Sequence, residues 1–337
     1  MSPELERLLA EHLPPPRVGK VRNLYDLPIQ YMGRPLLLSV KTNRLSMFDF
    51  QMGFANPGQA QMLNAFDIAA KLHLHRVAPD IETDLVAYGQ TIDKFLRHAL
   101  HDNAELQRIA TAVEEFDMSP ALEHVGRTHA TGTFYKAYKE ARGKPVWGHK
   151  FPPDLSEGFK FDKPIYTPTT KAPAGHHDEP LDYLEVREEY GTEFEEITLR
   201  ILDIFTKLAA QGGLILVDFK DEMGRRISEL PNGKYRVGDE LITPHSSRLW
   251  LHADYDKCYP NSVPDSFDKQ IGREWGKRMG IDKLDPKNEA DRQVVLAMEI
   301  PPPMVMDRMR QRGLEAFELM YKMPLTQFQR QIMKIAD

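Results

Sequence analysis

A mixed chain of strands and helices, built as two domains or one large two-lobed unit, is what this sequence predicts. Its 337 residues, 41% hydrophobic and 28% charged, can bury a sizeable core. Residues 212–224 (GGLILVDFKDEMG) open with a glycine pair and an apolar, mostly branched run, the pattern of a buried strand. Immediately before them, Phe194, Ile197, Ile201, Phe205 and Leu208 recur at helical spacing and predict a long amphipathic helix that stops at the glycines.

Beyond Val217 the strand alternates strictly. Asp218, Lys220 and Glu222 share one face while Val217 and Phe219 share the other, with same-face neighbours about 6.5 Å apart. An acid–base–acid face of this kind is either a metal edge with a phosphate-binding ammonium or a solvated face with internal ion pairs.

Composition excludes several classes. A net charge of −6 gives no electrostatic case for nucleic acid. The lone Cys258 forbids an intrachain disulfide, which fits a reducing cytosol. Neither a signal-peptide pattern nor an apolar run long enough to span a bilayer is present, so a soluble, cytoplasmic protein with no membrane association is expected.

In chain order, Ser2-Pro3-Glu4 predicts a capped helix with Leu5, Leu8 and Leu9 on one face, ending before Pro14. Residues 17–27 read as a strand or hairpin carrying Gly19, Lys20 and Arg22, an edge able to lie over a triphosphate or simply a basic strand. Residues 35–40 predict a core strand, followed by a polar and aromatic loop over 41–50. Met62, Phe66, Ala69 and Leu72 predict one helix, and Leu106, Ile109, Ala110 and Val113 a second. His73, His75, His98 and His101 lack a matching acidic pattern and read as surface or packing residues.

Residues 116–120 read as a linker, which sets a lobe boundary between 1–118 and 119–337. Beyond it, Glu123, Val125, Arg127 and His129 share a strand face, and Thr131-Gly132-Thr133 entering a helix resembles an anion site at a helix N-terminus. Residues 143–164 read as irregular, and 165–179 as a functional or mobile polar loop. Within that loop His176 and His177 beside Asp178 lack the spacing of a zinc site. Pro231-Asn232-Gly233-Lys234 signals a hairpin turn, and a simple register would set Asp239 opposite Arg226, about 13 Å along the strand from Glu222. Ser246-Ser247-Arg248 supplies two hydroxyls and a guanidinium in a turn, the chemistry of a phosphate clamp. From Pro264 onward the chain reads as mostly helical, with a last amphipathic helix after Pro301-Pro302-Pro303.

Taken together, GKVR at 19–22, NRLSMFD at 43–49, residues 123–132, 167–178 and 212–224, GDE at 238–240 and SSRLW at 246–250 resemble the ATP-dependent SAICAR synthetases of purine biosynthesis. Length and the PDSFDKQ segment are similar to the longer branch of that family. The resemblance implies an α+β, two-lobed fold with antiparallel sheets, ATP in the cleft between lobes, and extra C-terminal helices. It implies ligation of L-aspartate to the carboxylate of the aminoimidazole ribonucleotide CAIR, with ADP and phosphate released. On the matching positions, Lys20 and Arg22 would lie over the ATP phosphates, and Met118 and Glu123 would belong to the adenosine-contacting segment. Glu222 and Asp239 would hold Mg²⁺, with Asp218 and Lys220 working beside them. Ser46, Arg127, Thr133, Ser247 and Arg248 would hold the nucleotide substrate, and Lys171 and Asp178 would serve aspartate and the reacting carboxyl. Self-association into a homo-oligomer is left open.

Two positions depart from the pattern. Asn43 and His245 stand where family members usually carry aspartate. Another ligase or phosphotransferase acting on a different carboxylate is the competing enzyme reading. A nucleotide-binding regulator is the non-enzymatic one, against which the intact Lys20, Lys220, Glu222 and Asp239 argue, since a binding module needs no metal pair.

Overall fold

The computed structural model describes residues 1–172, 178–267 and 270–336. The chain opens on α1 (Pro3–His12), where Ser2 Oγ accepts the Leu5 N–H at 3.2 Å and Pro3 occupies a first-turn position that needs no amide donor. Strands β1 (Arg17–Val18) and β2 (Arg22–Tyr31) form a hairpin around residues 19–21, and β3 (Arg34–Lys41) follows. Residues 41–50, expected as a loop, instead contribute to a two-stranded ribbon of β4 (Arg44–Met47) and β5 (Phe50–Ala55). Its turn sets Phe48 and Asp49 at φ 52° and 62°. Such turns favour Asn-Gly or Asp-Gly, so a phenylalanine there gave no signal.

Helix α2 (Gln59–Val77) leads to β6 (Leu85–Tyr88), α3 (Ala104–Ile109) and β7 (Ala110–Glu114). The second expected helix therefore stops at Ile109. Residues 110–114 pair with β3, Leu38 opposite Ala112, because Thr111 and Val113 suit a pleated surface and β3 offers a free ladder. The resulting antiparallel sheet runs β1-β2-β3-β7-β6.

A second sheet begins with β8 (Phe116–Asp117) and β9 (Leu122–His129). It continues through α4 (Gly132–Ala141), β10 (Lys160–Tyr166), β11 (Thr169–Thr170), α5 (Tyr183–Tyr190) and α6 (Glu193–Gln211). The irregular region expected to reach 164 thus ends at Lys160, where pairing with β9 begins. Strand β12 (Leu214–Arg226) is the axis of the sheet: β8, β9, β13 (Arg236–Gly238) and β14 (Ser247–Leu251) all pair with it antiparallel. Gly213, at φ 72°, makes the turn from α6 into β12. A Cβ on Gly212 would lie 2.4 Å from the Leu319 carbonyl oxygen, so only glycine admits the helix that passes there.

The β12–β13 register corrects the sequence expectation for Asp239. Glu222 faces Gly238, so Asp239 lies one residue beyond the partner of Glu222 and not opposite Arg226. The connection is a wide loop containing a 3₁₀ turn at Ile227–Glu229, which centres the hairpin earlier than a tight turn at Asn232-Gly233 would.

The chain ends in α7 (His252–Cys258), α8 (Gln270–Arg278), α9 (Glu289–Leu296), α10 (Pro303–Tyr321) and α11 (Leu325–Gln331). The single last helix expected is two, divided at Pro324. The largest core joins α2, α6, β12, α10 and α11, with Phe317 edge-on to Phe66 at 5.1 Å and to Phe328 at 5.3 Å. No helix among the described residues is long and apolar enough to cross a membrane.

Two imidazoles of β9 are fully enclosed. His124 stacks on Phe194 at 4.3 Å and shares a hydrogen bond with the Tyr166 hydroxyl at 2.7 Å, while His129 packs edge-on to Trp250 and Tyr255. Burial pushes His124 down to about 3; burial, helped by Lys160, pushes His129 down to about 4. Both lie below the unfolded value of about 6.5, so the unfolded chain binds protons first and stability falls as pH drops from 6.5 toward 4. Going from pH 7 to pH 5 should cost about 2 kcal/mol per imidazole. Urea unfolding at both pH values checks this, and His124→Phe is expected to shrink the difference by about 2 kcal/mol. An unchanged difference in that variant would take His124 out of the account.

Candidate active site

The cleft between the two sheets is lined at one end by Leu24, Leu37, Val113, Phe116 and Met118, an apolar slot suited to a flat heterocycle. Met118 reaches it because two glycines give way. A Cβ on Gly224 would lie 2.6 Å from the Met118 sulfur, and one on Gly238 would lie 3.3 Å from its Cε. Sequence reading took Phe116 as part of a linker and gave Leu24, Leu37 and Val113 no place in a site, since apolar residues on separate strands carry no local signal of a shared slot. Toward the mouth, Arg22 pairs with Asp239, and the half-exposed Lys20 stands 3.5 Å from Asp49.

Glu222 and Asp239 both line this cleft, brought together by the register described above. Glu222 accepts from Lys171, as Asp239 does from Arg22. No group of three His, Cys, Asp or Glu able to hold a metal occurs among the described residues. Two carboxylates facing cations suit Mg²⁺, which takes few protein ligands and completes its octahedron with phosphate oxygens and water. The zinc question raised by His176 and His177 falls outside the described residues.

Next along β12, Lys220 donates to Glu123 across the β9 ladder. Burial raises the Glu123 carboxyl although Lys220 opposes it, and Glu123 raises Lys220 against the cost of burying the ammonium. Glu123 therefore sits with Lys220 and Met118 lies in the apolar slot. Asp178 accepts from the Ala172 N–H at 2.8 Å and is close enough to Lys220 and Glu123 to influence both.

Farther along, Asp218 lies between two arginines because it faces Arg127 on β9 and Arg248 on β14. Its Oδ2 accepts from Arg127 Nη1 at 2.7 Å and from Arg248 Nη1 at 3.0 Å. Arg127 also donates Nε to Thr167 Oγ1 at 2.9 Å and rests beside the rings of Phe134 and Trp147. Burial, with Arg248 adding to it, lowers Arg127 to about 10 despite Asp218. The guanidinium of Arg248 covers Gly132, where an added Cβ would be 2.7 Å from Nη1. It thus adjoins the first turn of α4, which also presents the exposed Thr133. That turn holds an anion from the chain itself: Glu157 accepts from Thr131 Oγ1 at 2.9 Å. Ser247 donates its hydroxyl to the Thr243 carbonyl at 2.7 Å, and Ser46 is buried on β4 with its backbone opposite Gln51.

The two unusual positions have local work. Asn43 Oδ1 accepts the Ala60 N–H at 3.0 Å and so caps the start of α2. His245 is half-buried, its N–H on Thr243 Oγ1 at 3.1 Å, and it favours the carboxylate form of Glu240.

Carboxylates facing cations, then a lysine, then an aspartate between two arginines follow one another along β12 and the strands paired with it. This order suits an enzyme that acts on anionic substrates. The SAICAR synthetase model matches residues 17–288, and the chain belongs to that family. It is 33% identical to the phosphoribosylaminoimidazole-succinocarboxamide synthase of Xylella fastidiosa (strain M23) over 284 residues, 81% of this chain and 87% of that one. It is 32% identical to the same-named protein of Corynebacterium urealyticum, over 94% of this chain and 95% of that one. Among solved structures, a SAICAR synthase from Saccharomyces cerevisiae complexed with SAICAR superposes with a TM-score of 0.75 at 25% identity, covering 96% of this chain and 98% of that one. These similarities make the chain a ligase forming a C–N bond and do not favour a different carboxylate substrate.

Proposed function

We propose that this cleft ligates L-aspartate to the carboxylate of CAIR at the expense of ATP, through an acyl phosphate. The observation that carries the reading is the order of groups along β12, with Asp218 between two arginines at one end and Glu222 beside Asp239 at the other. A carboxylate is a poor acyl donor until one of its oxygens can leave. A CAIR carboxylate oxygen attacks the γ-phosphorus and ADP departs; the neutral amine of aspartate then attacks the acyl carbon, and phosphate departs with that oxygen. Glu222 and Asp239 would hold Mg²⁺, which supplies charge neutralisation at the phosphates. Lys20 and Arg22 cover the phosphates, with Met118 against the adenine. Lys220, anchored by Glu123, faces the transferred group. Arg127, Arg248, Thr133, Ser247 and Ser46 serve the ribonucleotide and its 5′-phosphate. Lys171 and Asp178 serve aspartate, with Asp178 taking the proton released by the amine. Residues 1–118 and 119–337 are the two lobes in this reading.

ADP release measured with CAIR, with and without aspartate, tests the proposal. SAICAR should form only when all three substrates are present; turnover of another carboxylate in preference to CAIR would overturn it. Arg248→Lys should raise the KM for CAIR at least about tenfold and leave that for ATP nearly unchanged, because an ammonium cannot reproduce the planar fork. A variant that loses ATP affinity instead would move Arg248 to the other half of the cleft.

A further inference from the structure

Asp239 holds only part of its own turn, its Oδ1 accepting the Glu240 N–H at 2.6 Å. It leaves β13 at φ 59°, and Ile242 three residues later is at φ 49°. Two non-glycine residues in the left-handed region within one turn persist only where the surroundings over-determine them. Here the restraint comes from β3 and α2. Lys71 Nζ donates to the Asp239 backbone oxygen at 2.7 Å. Asp67 Oδ1 accepts the Leu241 N–H at 3.0 Å. Glu240, between them, accepts from Lys41 Nζ at 3.0 Å and from Thr243 Oγ1 at 3.0 Å.

These anchors are themselves interlocked. Lys71 lies 3.0 Å from Asp67 and 2.7 Å from Asp84, and Lys41 is 3.6 Å from Asp67. The side chains of Lys41 and Lys71 are each 1% exposed, and both are committed to the protein's own carboxylates. Burial works against the Lys71 ammonium, but Asp67 and Asp84 outweigh it. Lys41 and its neighbours hold Glu240 down to about 2 against the same burial. Two buried cations and three acids thus meet at the wall of the cleft, which Lys41, Asp67, Lys71 and Asp84 help line, and their bonds converge on residues 239–241.

We propose that Lys71 is a positioning residue for Asp239: its bond to the Asp239 carbonyl fixes the turn that turns the Asp239 carboxylate toward Glu222. The proposal rests on the reading that Glu222 and Asp239 hold Mg²⁺. It predicts that loosening the clamp weakens the metal and spares the nucleotide and CAIR. The test is the double variant Lys71→Met/Asp84→Asn, which removes the cation together with one of its buried partners. The Mg²⁺ concentration for half-maximal activity should rise at least about tenfold, with kcat recovered to within about threefold at saturating Mg²⁺ and the KM for CAIR within about twofold. Calorimetric titration with ADP gives a readout independent of turnover. Affinity without Mg²⁺ should stay as in the parent, while the gain on adding Mg²⁺ shrinks by the same factor. Lower thermal stability with unchanged Mg²⁺ dependence would show a purely structural network and overturn the proposal. If the double variant does not fold, Asp67→Asn keeps an acceptor for Leu241, weakens the hold on Lys71, and carries the same test with an expected rise of about threefold. Asp239→Asn separates the two levels. If it leaves the Mg²⁺ dependence intact, the metal assignment fails; if it abolishes that dependence while both clamp variants behave as the parent, only the clamp fails.

Discussion

Glu222→Gln and Asp239→Asn are each expected to lower kcat at least about 10²-fold, the scale of losing a main electrostatic stabiliser of a charged transition state. Both substitutions keep side-chain volume and remove only charge. Glu222 sits within the β12–β13 ladder and Asp239 in a turn fixed through its backbone, so the fold should survive in both. Each change also frees a cation, Lys171 in one case and Arg22 in the other. Arg22 then faces the ATP phosphates, and Lys171 the aspartate, without a carboxylate partner, so ATP affinity should fall far less than kcat. Steady-state kinetics across an Mg²⁺ series, with circular dichroism as a control for folding, would check this. Near-normal turnover in either variant would remove that residue from the metal site.

Asp218→Asn should cost about 3–5 kcal/mol of stability, the range for stranding one member of a buried ion pair. The asparagine keeps the volume and one acceptor but leaves Arg127 and Arg248 side by side with no charge between them. Burial and its neighbour already lower Arg127 to about 10, and losing Asp218 removes the contact that opposes them. Repulsion should drive the more accessible Arg248 off Gly132 and away from the first turn of α4, raising the KM for CAIR with little effect on ATP. Urea unfolding and the two KM values together decide. Stability within about 1 kcal/mol of the parent and an unchanged CAIR KM would show that Asp218 is dispensable to the arginine pair.

The parts legible in the sequence were those with a local period. Helix α6 and strand β12 could be read because Phe194, Ile201 and Phe205 face the core at one spacing and Val217 and Phe219 at another. The chemistry of Arg127 and Arg248 was legible as residue type, but their shared hold on Asp218 was not, since it depends on which residues the ladders set opposite each other. Asp67 and Lys71 illustrate the limit more sharply. An acid and a base four apart on a helix ordinarily decorate a solvated face, yet here both are buried because β3 and the 239–241 turn close over them. Strand β7 was misread since Leu106 to Val113 fits helical spacing, and only the β3 edge pulls Ala110 and its successors into a sheet.

The stitching of the C-terminal helices onto the first half of the chain bears on how the protein can be made. Gln90 N–H donates to the Met333 carbonyl at 2.9 Å, and Arg108 donates to the Ala336 carbonyl at 3.1 Å, across 228 residues. At roughly 5–20 residues per second, about 10–45 s separate synthesis of those two partners. For most of that interval α2 lacks the ring of Phe317 that caps Phe66, and Gly89 lacks the backbone that its missing side chain admits. Helix α2 of the nascent chain therefore keeps part of its apolar face in water until the C-terminal helices emerge, a window in which slower elongation exposes that face for longer.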